Sequence, residues 1–389
     1  DVASDVLVEI DEDTREQFLA SFSTEEIAES IENMQSDDAA DVIQELSEIQ
    51  QEEVLEAIKD EEQSSDISKL LNYEEDSAGG VMDLDFVAAT WSWTVKKTLQ
   101  NLREQVDNVG QVYTIYVIDD NKRLMGTLSL KRFLYASDET LIKDIFQDEP
   151  ISVNVNEPAE KVASIMEKYD LVAIPVINKD SILLGRITID DAVDVIKEEA
   201  EKDYQMASGI TEDVESSDSI WQLTRARLPW LLIGLLGGIL GAEIIGLFED
   251  FSKFTKLAFF IPLIAAMGGN VGVQSAAIVV QGLANNSIKI NTILGKLTKE
   301  LGVALLNGII CSIIILAATL ILQYSIQLCI TVSLSLLSVI VFAALFGTLT
   351  PLTLEKYKID PALATGPFIT TVNDILGLYI YFLIGQAIL

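Results

Sequence analysis

The chain has 389 residues, 60 acidic against 26 basic, with no histidine and two cysteines. Without histidine there is no histidine-based nucleophilic triad, and oxygen becomes the realistic metal ligand, which favours hard cations. Cys311 and Cys329, both in apolar stretches, make no disulfide framework.

The charge is unevenly placed. Residues 228–389 hold seven acidic and seven basic side chains, so the whole excess of −34 lies in residues 1–227. An acidic half of this kind repels nucleic acid and anionic lipid and gathers cations at its surface. The chain opens at Asp1 rather than Met, which reads as a processed or truncated start, and no signal peptide precedes the acidic half.

The first seventy residues repeat every twelve. The seventh residues of successive blocks are Leu7, Leu19, Ile31, Ile43, Leu55 and Ile67, and the tenth are Ile10, Phe22, Met34, Leu46, Ile58 and Leu70. A seven-to-ten spacing is one helical face, and each block is too short to bury that face alone. The pattern predicts short helices stacked into a small superhelix, with Asp and Glu outside.

From about Ser77 strands alternate with helices. Val112–Asp119, the turn Asp120–Lys122 and Leu124–Leu128 lead into a helix at Leu130–Ala136. Val172–Ile177, the turn Asn178–Asp180 and Leu183–Ile189 lead likewise into Asp190–Glu201. Two copies of one α/β unit about sixty residues apart indicate a duplication. The second copy reads Gly185-Arg186-Ile187-Thr188-Ile189-Asp190-Asp191, in which Thr188 and Asp191 stand where a strand passes into a helix. Such a junction can hold a ribose and phosphate, or can simply cap the helix. The first copy, Gly126-Thr127-Leu128-Ser129-Leu130-Lys131-Arg132, lacks the aspartate, so at most one nucleotide site is expected.

Residues 190–227 read as one long acidic connection ending at Arg225 and Arg227. Five apolar segments follow, at Leu228–Phe248, Leu257–Ala284, Leu301–Tyr324, Leu328–Leu352 and Pro361–Leu389, each long enough to cross a bilayer. Lys289, Lys296, Lys299, Lys356 and Lys358 mark two loops as cytoplasmic, placing residues 1–227 inside and the C-terminus outside a cell membrane.

Within the spans, Asp374 is the demanding residue. An ionised carboxylate at that depth costs on the order of 3 kcal/mol unless water or a cation compensates, and no lysine or arginine lies at matching depth. This favours a cation pathway over a structural ion pair. Thr370 and Gly366 precede Asp374 at successive turns on the same face, and Pro367 is expected to free carbonyls at a bend. Met267-Gly268-Gly269-Asn270-Val271-Gly272-Val273-Gln274-Ser275 reads either as close helix packing or as a pore-lining stretch. Asp360-Pro361 either collects cations at the cytoplasmic mouth or caps the last helix. No nucleophile–base set, zinc spacing or P-loop is present, which speaks against an enzyme.

The order of these parts resembles the MgtE-type magnesium channels. The expected fold is multidomain: an all-α superhelical N domain at 1–76, an α/β CBS-domain pair at 77–200 (about 77–140 and 141–200), a connecting helix at 201–227, and a five-helix transmembrane domain at 228–389. The resemblance rests on Tyr73-Glu74-Glu75-Asp76-Ser77-Ala78-Gly79-Gly80-Val81-Met82, on Phe260-Ile261-Pro262-Leu263 with the glycine-rich stretch after it, and on Asp360-Pro361-Ala362 with Asp374. It implies a homodimer in the bilayer with its pore at the dimer axis, where two copies of Asp374 hold hydrated Mg2+, an ion that dehydrates reluctantly. Asn270, Asp360, Gly366 and Thr370 would line the path. Gly366 and Thr370 depart from the family's usual Asn and Ala. The resemblance also implies closure by cytosolic Mg2+ bridging acidic surfaces, with Asp37, Asp41, Asp180, Asp190, Glu212 and Asp213 as the matching positions, and ATP at the CBS pair through Thr188 and Asp191. The competing readings are a carrier coupled to Na+ or H+, and a membrane-anchored nucleotide sensor.

Overall fold

The computed structural model describes the chain apart from residues 1–3, 5, 8–9, 11, 20, 33, 106–111, 212–213, 215–218, 249–255, 285–292 and 365. Two compact units divide it, residues 1–200 and 201–389.

The twelve-residue period becomes helices α1 (Glu12–Leu19), α2 (Thr24–Ile31), α3 (Ser36–Gln44), α4 (Glu48–Ala57) and α5 (Glu61–Leu70). Short polar residues start them. Ser23 and Glu26 form a reciprocal capping box at α2, and Asp60 accepts from the amides of Glu62 and Gln63 at α5. Each helix is too short to stand alone, and they pack on second neighbours, α2 on α4 and α3 on α5. Leu7, Leu19, Ile31, Ile43 and Ile67 are buried as the period requires. Leu55 is only half-buried; the adjacent Val54 takes its place inside. The acids are not all outside either, because Asp37 and Asp38 lie on the face of α3 turned inward.

The α/β units are built alike. In the first, β1 (Ala88–Thr90) runs parallel to β2 (Thr114–Ile118), which pairs antiparallel with β3 (Leu124–Ser129), and β4 (Gln147–Asp148) adds an edge. Helices α6 (Val95–Gln105) and α7 (Leu130–Tyr135) belong to this unit. In the second, β5 (Val153–Asn154) is parallel to β6 (Ala173–Ile177), itself antiparallel to β7 (Leu183–Thr188), with helix α8 (Ala159–Tyr169) between β5 and β6. Both hairpins carry a register shift at the same place, between Val117 and Ile118 and between Val176 and Ile177. Both turn through the same device: Asp119 accepts from the amides of Asn121 and Arg123, and Asn178 from those of Asp180 and Ile182. The two tips then bond to each other, the Leu124 amide to the Ser181 carbonyl (2.9 Å) and the Leu183 amide to that of Lys122 (3.1 Å).

The core of the helical repeat is continuous with that of the second α/β unit. Ile31, Ile43 and Ile67 join Met82, Met166, Ile174 and Val176 in one cluster, while the first unit keeps its own around Ile115, Val117 and Leu128. Residues 77–83 stitch this junction. Asp83 and Arg186 exchange both backbone hydrogen bonds (2.8 and 2.9 Å), and the Arg186 Nη2 lies 2.9 Å from the Asp83 Oδ2 with both side chains buried.

After β7, α9 (Ile189–Ala207) ends at Gly209, whose φ of +83° is the left-handed stop that glycine provides. The long acidic connection expected over 190–227 thus contains parts of two helices: α10 (Ile220–Leu247) starts at a Ser219/Gln222 capping box and continues straight into the first span. The other spans are α11 (Ile261–Ala284), α12 (Ile293–Ile321), α13 (Ile326–Lys356) and α14 (Gly366–Ile388). All five helices are long and apolar enough to cross a membrane. The most buried is α13, packed against α11, α12 and α14. The last span also differs from expectation. Pro361–Ala364 is a separate 3-10 turn, so Pro367 sits in the first turn of α14, where a missing N–H leaves no internal carbonyl unbonded.

Replacing Asp83 by Ala strips the buried Arg186 of its carboxylate. Such a loss costs about 3 kcal/mol, so the thermal midpoint of the soluble unit should fall by roughly 6–12 °C. Differential scanning fluorimetry of the full chain in detergent measures this.

Candidate functional site

Glycines bring the two polar motifs of the membrane unit together. A β-carbon on Gly269 of α11 would lie 2.7 Å from the Thr370 methyl and 3.7 Å from the Asp374 Oδ1. A β-carbon on Gly272 would collide with the Asn373 amide, and one on Gly347 of α13 with the Gly272 carbonyl. Small residues thus set α11, α13 and α14 at backbone contact. Gly366, Thr370 and Asp374 follow one another every fourth residue along one face of α14. The Thr370 hydroxyl donates to the Gly366 carbonyl (2.7 Å), and Asp374 is half-buried. Asn270 is exposed, off the face that Gly268, Gly269 and Gly272 bury. Asp360 is exposed as well, and its Oδ1 accepts from the Ala362 amide (2.8 Å), so it caps the 3-10 turn rather than α14.

Two polar groups here lay outside the sequence reading. Asn373 is 1% exposed with both amide atoms unpartnered among the described residues, and the buried Ser275 hydroxyl donates to Glu300 on α12 (2.7 Å). The rule that singled out Asp374, a polar residue inside an apolar span, applies equally to both.

The segment after α9 rests against the start of α14. A β-carbon on Gly209 would stand 2.6 Å from the Pro367 ring, and one on Gly366, itself at φ +51°, would strike the Ala207 carbonyl. Each glycine is required by its own backbone and by the other's approach.

In the soluble unit, α3 presents Asp37 and Asp38 to the first turn of α9, which carries Asp190 and Asp191. Asp37 is 9% exposed and its Oδ1 is buried without a partner among the described residues. Burial, with Asp83, Asp191 and Asp38 facing it, holds its carboxyl well above the usual range. Burial and then Asp191 and Asp83 push Asp38 up to about 6, against the opposing Arg15. Asp41 is exposed, yet desolvation and then Asp38 and Glu75 raise it to about 7. Burial also raises Asp191 although the Thr188 amide and hydroxyl both donate to its Oδ2 at 2.7 Å. Thr188 bonds Asp190 too, so the residues read as a nucleotide pair are engaged with each other in a helix cap. Of the regulatory positions, Asp37 faces Asp191, the neighbour of Asp190 in the first turn of α9, with Asp41 one turn further along α3 towards Glu75 and Glu198. Asp180 is apart, on the exposed hairpin turn at the opposite end of β7. Glu212 and Asp213 lie outside the described residues. Among the described residues no three acidic side chains converge closely enough to form a metal-binding group.

Five apolar spans with a carboxylate inside them, joined to a soluble acidic half, define a multi-pass membrane transport protein rather than an enzyme. Residues 261–384 match the family model described as divalent cation transporter, residues 1–76 that of the MgtE intracellular N domain, and residues 142–198 that of the CBS domain. The chain is 35% identical over 326 residues to the magnesium transporter MgtE of Bacillus subtilis and 36% over 327 to that of Enterococcus faecalis, in each case over 84% of this chain and 72% of the relative. Among solved structures, the soluble part of a magnesium transporter is 34% identical (TM-score 0.47, 51% of this chain, 77% of that one). The cytosolic domain of the Mg2+ channel MgtE in complex with ATP is 29% identical (TM-score 0.47, 49% and 78%). The chain belongs to the MgtE family of divalent cation transporters.

The raised carboxyls give the contact between α3 and α9 a pH dependence of known sign. A group whose folded pKa lies above its ordinary 3.8 costs nothing while protonated in both states, destabilises the contact progressively as pH climbs from about 3.8 to its raised value of 6 or 7, and by a constant amount above that. In chelator, amide protection of residues 36–44 should therefore fall from pH 5 to pH 8, and divalent cation should restore it at pH 8 far more than at pH 5. Hydrogen exchange of the full chain, corrected for intrinsic rates, measures both. Separately, Gly366→Ala combines a left-handed penalty of about 1 kcal/mol with the Ala207 collision. Exchange at 207–210 should rise roughly tenfold in that variant.

Proposed function

We propose that the chain is a Mg2+-selective channel for magnesium uptake, working as a homodimer with the pore at the dimer axis and closed by cytosolic Mg2+ bound to its acidic half. The observation that carries this reading is Asp374, on one face with Thr370 and Gly366 and against the Gly268–Gly269 backbone. The magnesium transporters related to this chain supply the ion. A single carboxylate per chain makes a half-site, and a second copy across an axis completes a site that keeps most of the ion's water. An exposed apolar stripe on α9, Ile189, Val193 and Ile196, is a surface that a second copy would cover. Asn270 and Asp360 would stand along the ion's route towards Asp374.

For the regulatory ions, the proposed place is where Asp37 faces the first turn of α9 with Asp190 and Asp191, whose side chains do not form a converged ligand set in this structure. A buried, unpartnered carboxylate oxygen faces further carboxylates, and an ion bound there supplies the charge that lets them ionise together. Asp41, Asp180, Glu212 and Asp213 are further candidates for regulatory ions in this reading, Asp180 at a separate place from Asp37. With the ions absent, like charges repel and the contact loosens. ATP at Thr188 and Asp191 belongs to the same proposal, as do the boundaries at 76, 200 and 227, soluble domains in the cytoplasm and the C-terminus outside.

Reconstitution in liposomes tests the core of it. Asp374→Ala should reduce Mg2+ uptake at least a hundredfold and Asp374→Asn at least tenfold, with unitary currents in the wild type. Unchanged flux in both variants removes the assignment, and slow, saturable, gradient-coupled flux would make the protein a Na+- or H+-coupled carrier instead.

A further inference from the structure

A cavity of about 770 Å³ opens within the membrane unit between the segment after α9, helix α10 and the start of α14. Ser208, Arg227, Trp230, Gly234, Pro367 and Thr371 line it. It lies mainly on the α10 side of α14, where Gly237 packs on Thr371, and it shares Gly366 and Thr370 with the face that Gly269 meets from α11.

Three features of this cavity converge on one class of ligand. Arg227 is the last charge before the apolar run that begins at Leu228, so its guanidinium sits where the bilayer surface meets the span. It is exposed, and among the described residues it makes no ion pair and no hydrogen bond. A cation at that depth with no anion beside it among the described residues complements an anionic headgroup. Trp230, one turn on, is the amphipathic residue that favours the same level. Below it Leu231 is 66% exposed and Gly234 has no neighbour within 4 Å of where a β-carbon would stand, which leaves an open apolar wall for the first acyl carbons. The volume is within the range of small-ligand pockets, and suits a phosphoglycerol group better than an ion.

We propose that this cavity binds the headgroup of an anionic phospholipid, with Arg227 holding its phosphate. The acidic half repels anionic lipid, so this one unpaired arginine at its end is where attraction remains. The inference rests on the spans and not on which ion the protein carries.

Full-length protein in detergent, titrated with phosphatidylglycerol or phosphatidylcholine and read by native mass spectrometry, tests it directly. Wild type should retain phosphatidylglycerol preferentially. Arg227→Gln removes the charge, and Gly234→Leu fills the wall where nothing stands in its way; each should weaken phosphatidylglycerol about fivefold, while Arg225→Gln leaves it unchanged. No preference in the wild type, or a loss in only one of the two variants, overturns the proposal. Displacement of the bound lipid by millimolar inorganic phosphate would make the natural ligand a soluble phosphate and overturn the lipid assignment.

Discussion

One constraint governs the soluble half: an apolar core shared between the helical repeat and the second α/β unit holds carboxylates of the same sign face to face. The core that joins Ile31, Ile43 and Ile67 to Met166 and Ile174 places α3 against the N-terminus of α9. Asp37 and Asp38 therefore meet Asp190 and Asp191, and burial and mutual repulsion raise the carboxyls. Hydrophobic burial can hold such an arrangement because it is non-directional and indifferent to sign, while the repulsion depends on protons and cations. The one buried cation paired at this junction, Arg186, is committed to Asp83.

The membrane half solves a different problem. Lipid gives helices no hydrophobic reason to associate, so close packing must come from small side chains. Gly268, Gly269, Gly272 and Gly347 provide it, and they put backbone where side chains would otherwise separate α11, α13 and α14. The same close approach that packs these helices also sets the Gly269 backbone beside Asp374. Helices α10 and α12 stay largely uncovered in the single chain, as suits bilayer-facing spans.

How much of this was legible beforehand follows from the range of the interactions. The twelve-residue period, the duplicated hairpins and the five spans are set by local periodicity and length; the hairpin strands fall within two residues of expectation, while two of the spans start eight residues early. The failures arise where a neighbour distant in sequence decides. Val54 replaces Leu55 because the core, not the period, selects which of two adjacent residues turns inward. The inward placement of Asp37 depends on α9, some 150 residues later. The break at Gly209 and the start of α14 at Gly366 depend on each other. Asn373 and Glu300 were readable in kind, as polar residues in apolar runs, but the packing of Asn373 against Gly272 and the bond from Ser275 to Glu300 were not.

The duplicated hairpins have one further consequence. They match in bulge, in turn and in the bonds between their tips, yet the helix that follows carries Lys131 and Arg132 in the first copy and Asp190 and Asp191 in the second. The two copies are alike as scaffolds and opposite as electrodes. The acidic one faces the carboxylates of α3, where like charges meet in a buried contact, while Lys131 and Arg132 of the basic one are exposed. A near-symmetric pair thereby acquires a crowded acidic half and an open basic half without any change of fold.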